Sequence, residues 1–226
     1  GIYDVVATTK QQEDLIKSVF PYMRSKILSP VVNSIFRKPI EPKKLAVNII
    51  TSDQRITNRI IKTFYWKYPF YKFVSFVDCR NRSREEFAEK LREGAITVWV
   101  DNDTPFGHSA LEAIACDNIL IGKVPEMVPE WMTNEDGTLN DCGVWTYDIN
   151  TIPDLLANVI GAWMQDNIPA QLTDAMSIAN EKYTVDKWNA NVDNIITEIV
   201  DEQIKSFESI KSSIQKNITN ENSVAE

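Results

Sequence analysis

The chain has 226 residues, of which 43% are hydrophobic and 25% charged, with 10 prolines and only 7 glycines. This composition is typical of a folded globular protein and excludes disordered, collagen-like and fibrous classes. The net charge of −8 repels phosphate backbones, so we expect no nucleic-acid partner. No apolar run approaches the roughly 18 residues of a membrane-spanning helix, so we expect no transmembrane segment.

Cysteine and histidine counts narrow the chemistry further. Cys79, Cys116 and Cys142 form no C-x-x-C pair, which predicts a reducing, cytoplasmic setting and a role as small hydrophobes. His108 is the single histidine, so metal sites that need several histidines are excluded by counting. A Ser-His-Asp hydrolase is disfavoured, because the nucleophile-elbow pattern around His108 has Leu111 in place of its last glycine.

The first 42 residues differ from the rest of the chain. A strand-like run, a helix-like run over 11–20 and a second apolar run precede a linker that contains Pro39 and Pro42. We interpret residues 1–42 as a remnant of an N-terminal domain plus a linker. Gly1 in place of an initiator Met supports the hypothesis that the sequence was cut from a longer protein.

From Lys43 onward, strand-like runs alternate with helical periodicity. Ser83 and Glu86 form a capping box for one helix, and Gly94 is its expected C-terminal cap. The predicted strands are 45–50, 73–77, 95–100, 119–121 and 144–147, and the predicted helices are 56–64, 83–91, 108–116 and 152–163. This order predicts an α/β fold with a doubly wound parallel sheet, a Rossmann-like domain over residues 43–200. Residues 201–226 are predicted to hold a C-terminal helix and a polar tail that is disordered from Asn217.

The loop over residues 101–107 is the strongest candidate for a binding site. Ligands of open parallel sheets bind beyond the carboxyl ends of the strands, where this loop lies. Gly107 opens a helix, so free N–H groups and the positive end of a helix dipole face the crevice. A diphosphate suits that position. The simpler interpretation is that Gly107 only makes the turn.

The segment from Thr104 to Asp117, with the strand that follows it, resembles the donor-site segment of retaining GT-B glycosyltransferases of family 4. That family reads E-G-F-G-x-x-x-L-E-A-M-A-x-G-x-P-V-I. The residues in register with it are Phe106, Gly107, Leu111, Glu112, Ala113, Ala115 and Ile121. The sequence over 181–188 is also similar to the start of the family's C-terminal helix. The resemblance spans roughly residues 43–200, the donor-binding half of a two-domain enzyme.

The resemblance implies a retaining hexosyltransferase that uses a nucleotide-sugar donor, without a metal or other cofactor. It implies that Glu112 accepts the ribose hydroxyls and that the amides from Gly107 to Ser109 face the diphosphate, with His108 as a further donor. The enzyme's own N-terminal domain would be the partner that supplies most acceptor contacts, so we expect this fragment to be inactive alone. Its uncovered face favours self-association, and parts outside this chain could hold the enzyme at the inner membrane surface.

Some positions depart from the family pattern. Thr104 stands where the family has a first glutamate that contacts the transferred sugar. The family's G-R-x-x-x-x-K pair is also absent in that form, and Arg55 and Arg59 are the candidates to neutralise the diphosphate. Arg80 and Arg82 are weaker candidates for the same role.

Two other functions stay open. The change at Thr104 fits a degenerate, glycosyltransferase-like nucleotide-binding or regulatory module without transfer activity. A receiver-like signalling domain is disfavoured, because only Asp53 follows the first strand of the sheet, where receivers need paired acids. The aromatic cluster over residues 65–73 is interpreted as core and interface packing rather than a sugar platform.

Overall fold

The computed structural model describes residues 4–101 and 106–224, and its first elements form a small unit. Strand β1 (Asp4–Ala7), helix α1 (Lys10–Val19) and strand β2 (Arg24–Ile27) make a β-α-β unit whose strands pair in parallel. Thr9 caps α1 by accepting the backbone N–H of Gln12. The predicted strand and helix in the first 42 residues are confirmed. We call these three elements the N-terminal unit.

The rest of the chain is built on one parallel sheet. Its strands are β3 (Lys44–Thr51), β4 (Ser75–Asp78), β5 (Gly94–Val100), β6 (Ile119–Lys123) and β7 (Val144–Thr146). They lie in the order β4-β3-β5-β6-β7, and every neighbouring pair is parallel. All residues of β5 are buried, which explains why this strand is a continuous apolar run. The predicted doubly wound parallel α/β fold is confirmed.

Helices cover both faces of this sheet. They are α2 (Gln54–Lys67), α3 (Arg84–Glu93), α4 (His108–Ala115), α5 (Ile152–Met164) and α6 (Ala170–Lys182), and helix α7 (Val185–Val224) follows them in the chain. Helices α2 and α5 pack together on one face, whereas α4 packs against α3 and α6 on the other. The predicted capping box is present, since Ser83 accepts the N–H of Glu86 and donates its own N–H to the Glu86 carboxylate. Gly94 caps the end of α3 by donating its N–H to the carbonyl of Lys90.

A buried polar network joins the helices to the centre of the sheet. Asn118 donates to the carbonyls of Leu91 at 2.7 Å and Ala113 at 3.1 Å. Its side-chain oxygen accepts the hydroxyl of Thr97 at 3.1 Å. Asn48, which is fully buried in β3, donates to the same oxygen at 3.4 Å. The ends of α3 and α4 are therefore held against β3 and β5 by hydrogen bonds as well as by apolar packing.

Helix α7 continues to Val224, whereas the sequence predicted a disordered tail from Asn217. No glycine or proline interrupts residues 185–224, so no residue of that segment stops a helix. The first part of α7 is tied to β2, because Arg24 pairs with Glu202 and Lys26 pairs with Glu198. From residue 203 to 215 all side chains are exposed. None of the helices within the described ranges has the length and apolar character needed to cross a bilayer.

The sheet order locates a crevice. From β3 the chain moves outward to β4 and then returns past β3 to β5, so the direction of winding reverses between β3 and β5. In doubly wound folds, ligands bind at the carboxyl ends of the two strands that flank this reversal. Thr51 ends β3 and Val100 ends β5, so the crevice lies beyond these two residues.

Candidate functional site

Gly107 sets the geometry of the turn that leads from β5 into α4. Its φ of +67° lies in the left-handed region, which non-glycine residues adopt at a cost. A Cβ atom at this position would come within 2.9 Å of the Trp99 ring and 3.3 Å of the Trp131 ring. Glycine is therefore required both by conformation and by space. The amides of His108 and Ser109, which follow it, begin α4 and have no acceptor inside the helix.

The residues beside Gly107 are held in place from two sides. Trp131 donates its indole N–H to the carbonyl of Phe106 at 2.6 Å. The Phe106 ring is buried and lies 4.9 Å from the ring of His108 and 5.5 Å from that of Tyr183. The start of α4 is therefore a fixed arrangement of backbone donors at the crevice.

Glu112 lies one turn further along α4 and is the buried acid of the site, with only 4% of its surface exposed. Its carboxylate accepts a hydrogen bond from the guanidinium of Arg84 at 2.6 Å. Arg84 is the first residue of α3 and lies 5.0 Å above the ring of Phe36. Burial raises the pKa of Glu112 above its ordinary value, and the nearby Arg84 opposes this rise only in part.

A cavity of about 480 Å³ opens over these side chains, and its lining residues are Val31, Arg84, His108, Ser109 and Glu112. Burial, with a smaller effect of Arg84, lowers the pKa of His108, so its imidazole is neutral at pH 7. The cavity thus combines a carboxylate acceptor, a guanidinium, a neutral imidazole and the N-terminus of α4. Such a set can bind a molecule that carries both hydroxyl groups and phosphate.

The structure brings Gly107, His108, Ser109 and Glu112 together, but it places the two predicted arginines elsewhere. The guanidinium of Arg55 pairs with Asp53 at 2.8 Å and is exposed, and Arg59 donates to Asn150 just before α5. Both arginines belong to α2, on the opposite face of the sheet from α4. Neither of them lines the cavity beside Glu112. Their role as phosphate ligands stays a prediction.

The remaining predicted residues give less information. Thr104 lies outside the described residues. Arg80 pairs with Asp78 at 2.6 Å, and Arg82 donates to the carbonyl of Asp78 at 2.9 Å, so both arginines fold back on the end of β4.

Arg84 is one residue of the site that sequence reasoning missed. It contacts Glu112 across 28 positions of the chain, and no local motif links the two. The sequence did contain one indication that Arg84 belongs to the site. Arg84 begins the helix with the capping box, which directly follows a predicted strand and turn.

Among the residues described, no group of three or more His, Cys, Asp or Glu side chains is placed to hold a metal ion. The three cysteines are free and buried. Burial raises the pKa of Cys79 and Cys116 to about 11 and that of Cys142 to about 12, so these thiols are protonated and unreactive at neutral pH.

Some solved structures share the fold of this chain at low sequence identity. No family model matches the chain, and no curated protein sequence matches it significantly. Solved structures do match. The pneumococcal O-GlcNAc transferase GtfA in complex with UDP and GlcNAc is similar with a TM-score of 0.60 and 12% identity, over 87% of this chain and 45% of GtfA. The likeness is one of fold.

Two further structures support the same conclusion. Sucrose-phosphate synthase from Thermosynechococcus elongatus has a TM-score of 0.55 and 13% identity, over 88% of this chain and 59% of that protein. TarM has a TM-score of 0.53 and 15% identity, over 86% of this chain and 43% of TarM. These structures share the fold of this chain, and the Rossmann-like parallel α/β architecture expected from the sequence is confirmed. The chain spans about half the length of these three structures.

Proposed function

We propose that this chain is the donor-binding part of a glycosyltransferase that transfers a hexose from a nucleotide-sugar. The observation that carries the proposal is the buried Glu112 carboxylate, which lies one turn into α4 beside a cavity at the carboxyl edge of the sheet. The likeness of fold to glycosyltransferases and the motif around Gly107 support the same proposal.

Each part of the cavity has a counterpart in a nucleotide-sugar. A carboxylate accepts hydrogen bonds from both hydroxyls of a ribose, so Glu112 would hold the ribose. The amides at the start of α4 and the positive end of its dipole would hold the diphosphate. Arg84, which pairs with Glu112, would add a cation beside the nucleotide. Stabilisation of the leaving diphosphate by these groups would lower the barrier to transfer.

The remainder of the reaction belongs to the rest of the proposed enzyme. The acceptor and the transferred sugar would contact a second domain of the proposed enzyme that lies outside this chain. We therefore expect this chain alone to bind the nucleotide but not to transfer the sugar. Retention of configuration, the hexose and a reaction without a metal are proposals that come from the sequence resemblance.

Calorimetric titration with UDP, GDP, ADP and CMP tests the donor site. We expect one nucleotide to bind, and Glu112→Gln to weaken it by about tenfold or more, because hydrogen bonds to a charged acceptor are lost. Glu89→Gln is the matched control, since it removes one exposed carboxylate from α3 and should leave the affinity unchanged. Binding of none of the four, or equal binding by Glu112→Gln, would refute the proposal.

The alternative is a nucleotide-binding or regulatory module without transfer activity. It shares the ribose and diphosphate contacts and differs only in the chemical step. Release of free sugar or transfer product from the matching nucleotide-sugar, in the presence of the N-terminal domain, separates the two. A protein that binds the nucleotide tightly but consumes no nucleotide-sugar is the binding module.

A further inference from the structure

A short turn between β6 and β7 contacts the start of α4. This 3₁₀ turn, Glu130–Met132, carries Trp131, which is 3% exposed. The Trp131 indole donates to the carbonyl of Phe106, directly before Gly107. Its ring is also one of the two that leave no room for a Cβ atom at Gly107. Trp131 therefore fixes the backbone from which the amides of α4 start.

Trp131 is itself held firmly within its own segment. Its backbone carbonyl accepts the side-chain N–H of Asn140 at 2.6 Å and the thiol of Cys142 at 3.6 Å. Its ring lies 6.0 Å from that of Trp99 and 6.0 Å from that of Trp145. A displacement of the 3₁₀ turn must therefore move the indole, because the side chain has no free space in which to adjust.

The same turn contacts the N-terminal unit through the adjacent residue. The Glu130 carboxylate accepts the backbone N–H of Lys10, the first residue of α1. One position further along α1, the Gln11 side chain donates to the carbonyl of Val128 at 3.4 Å. Two neighbouring residues, Glu130 and Trp131, thus connect the N-terminal unit to the turn at Gly107.

We propose that the turn Glu130–Met132 couples the position of the N-terminal unit to the phosphate-binding turn of α4, with Trp131 as the positioning residue. The assignment of phosphate as the ligand of this turn rests on the proposed function. The contacts of Lys10 with Glu130 and of Trp131 with Phe106 do not depend on that function. By linkage, ligand binding at α4 and docking of the N-terminal unit on Glu130 strengthen each other by the same factor.

The first arm of the test measures amide hydrogen exchange in the ligand-free chain. The amides of Ala110 and Leu111 donate to the carbonyl of Gly107 and so report on this turn. Trp131→Phe removes the donor to Phe106, and Trp145→Phe is the matched control, because its indole donates to the carbonyl of Asn140 instead. We expect exchange at these two amides to rise roughly three- to tenfold more in Trp131→Phe than in Trp145→Phe.

The second arm removes the contact from the N-terminal side. Lys10→Pro deletes the N–H that Glu130 accepts, at a helix position that favours proline. Thr9 has φ −138° and ψ 159°, the extended conformation that residues before proline adopt. Lys10→Ala is the control, since it loses the same side chain and keeps the N–H. We expect about threefold faster exchange at Ala110 and Leu111 in Lys10→Pro than in Lys10→Ala, and weaker binding of inorganic pyrophosphate.

Each result has one meaning. Equal exchange in the two tryptophan variants overturns the positioning role of Trp131. Equal exchange in the two Lys10 variants overturns the coupling, even if Lys10→Pro binds pyrophosphate more weakly. If exchange changes as expected while neither pyrophosphate nor any nucleotide binds the unsubstituted chain, the coupling stands and the proposed function fails.

Discussion

At position 107, both the backbone conformation and the packing require glycine. Gly107→Ala must adopt a positive φ and place a methyl group 2.9 Å from the Trp99 ring. We expect a loss of about 2–4 kcal/mol in the free energy of unfolding, from strain plus displacement of a buried ring. Urea denaturation measures this loss.

Gly137→Ala is the control for the packing part of that loss. Gly137 has a φ of +81° but no atom within 4 Å of its Cβ position, so alanine there meets only conformational strain. We expect a cost of about 1 kcal/mol. Equal losses in the two variants would show that the tryptophan rings give way freely to a side chain at position 107.

Glu112 makes the stability depend on pH in a defined direction. Burial raises its pKa above the ordinary 4.5, so the folded chain binds this proton more tightly than the unfolded chain does. Its contribution to stability is therefore fully present below about pH 4.5 and is lost as the pH rises through the higher, folded-state value. Relative to Glu112→Gln, the unsubstituted chain should be less stable at about pH 7 than at about pH 4.

Urea unfolding of both proteins at the two pH values measures the difference. A gap that moves the other way with rising pH would mean that the ion pair with Arg84, at 2.6 Å, dominates over burial.

Single residues of the site differ in how far the sequence could predict them. Gly107 and Glu112 belong to one short motif on one helix, so local spacing is enough to place them together. Arg84 and Trp131 reach the same place from α3 and from the segment after β6, across 28 and 25 positions. Such contacts depend on the order and register of the strands in the sheet, and these cannot be predicted from a local sequence pattern.

At the scale of elements, substitutions in the polar network around Asn118 should lower the free energy of unfolding more than substitutions of most other polar residues. Asn118→Ala leaves the carbonyls of Leu91 and Ala113 and the hydroxyl of Thr97 without this partner in a buried site. We expect a loss of about 2–4 kcal/mol in unfolding free energy. Asn58→Ala, on the exposed side of α2, should change it by less than about 0.5 kcal/mol. Comparable losses in both variants would contradict this ranking.

The helices and strands that have a clear local sequence pattern were predicted well. Strand β5 is a continuous apolar run because both of its faces are covered, and α3 carries a capping box at one end and Gly94 at the other. The 3₁₀ turn Glu130–Met132 was not predicted, because three residues carry no periodicity. The end of α7 was predicted as a disordered tail from Asn217 because of its polar composition, but residues 217–224 contain no glycine or proline to end the helix, and α7 continues to Val224.

At the scale of the whole molecule, charged contacts attach the N-terminal unit to the rest. The ion pairs of Arg24 with Glu202 and of Lys26 with Glu198 are partly exposed, so they are weak and screened by salt. We expect about 1 M NaCl to speed amide exchange in β1 and β2 by roughly two- to threefold. Exchange in β5, whose residues are all buried, is the internal control and should not change. Unchanged exchange in β1 and β2 would indicate attachment mainly by apolar contacts.

The row of indoles formed by Trp99, Trp131 and Trp145 has an optical consequence. Successive rings lie 6.0 Å apart, a separation at which indoles exchange excitation energy efficiently. Three of the protein's six tryptophans can thus pass excitation energy to one another beside the start of α4, while Trp66 on the far side of the sheet is 81% exposed. The near-ultraviolet emission of the chain therefore contains a component from buried indoles that pack against Gly107, so a change in the packing of this turn should change that component.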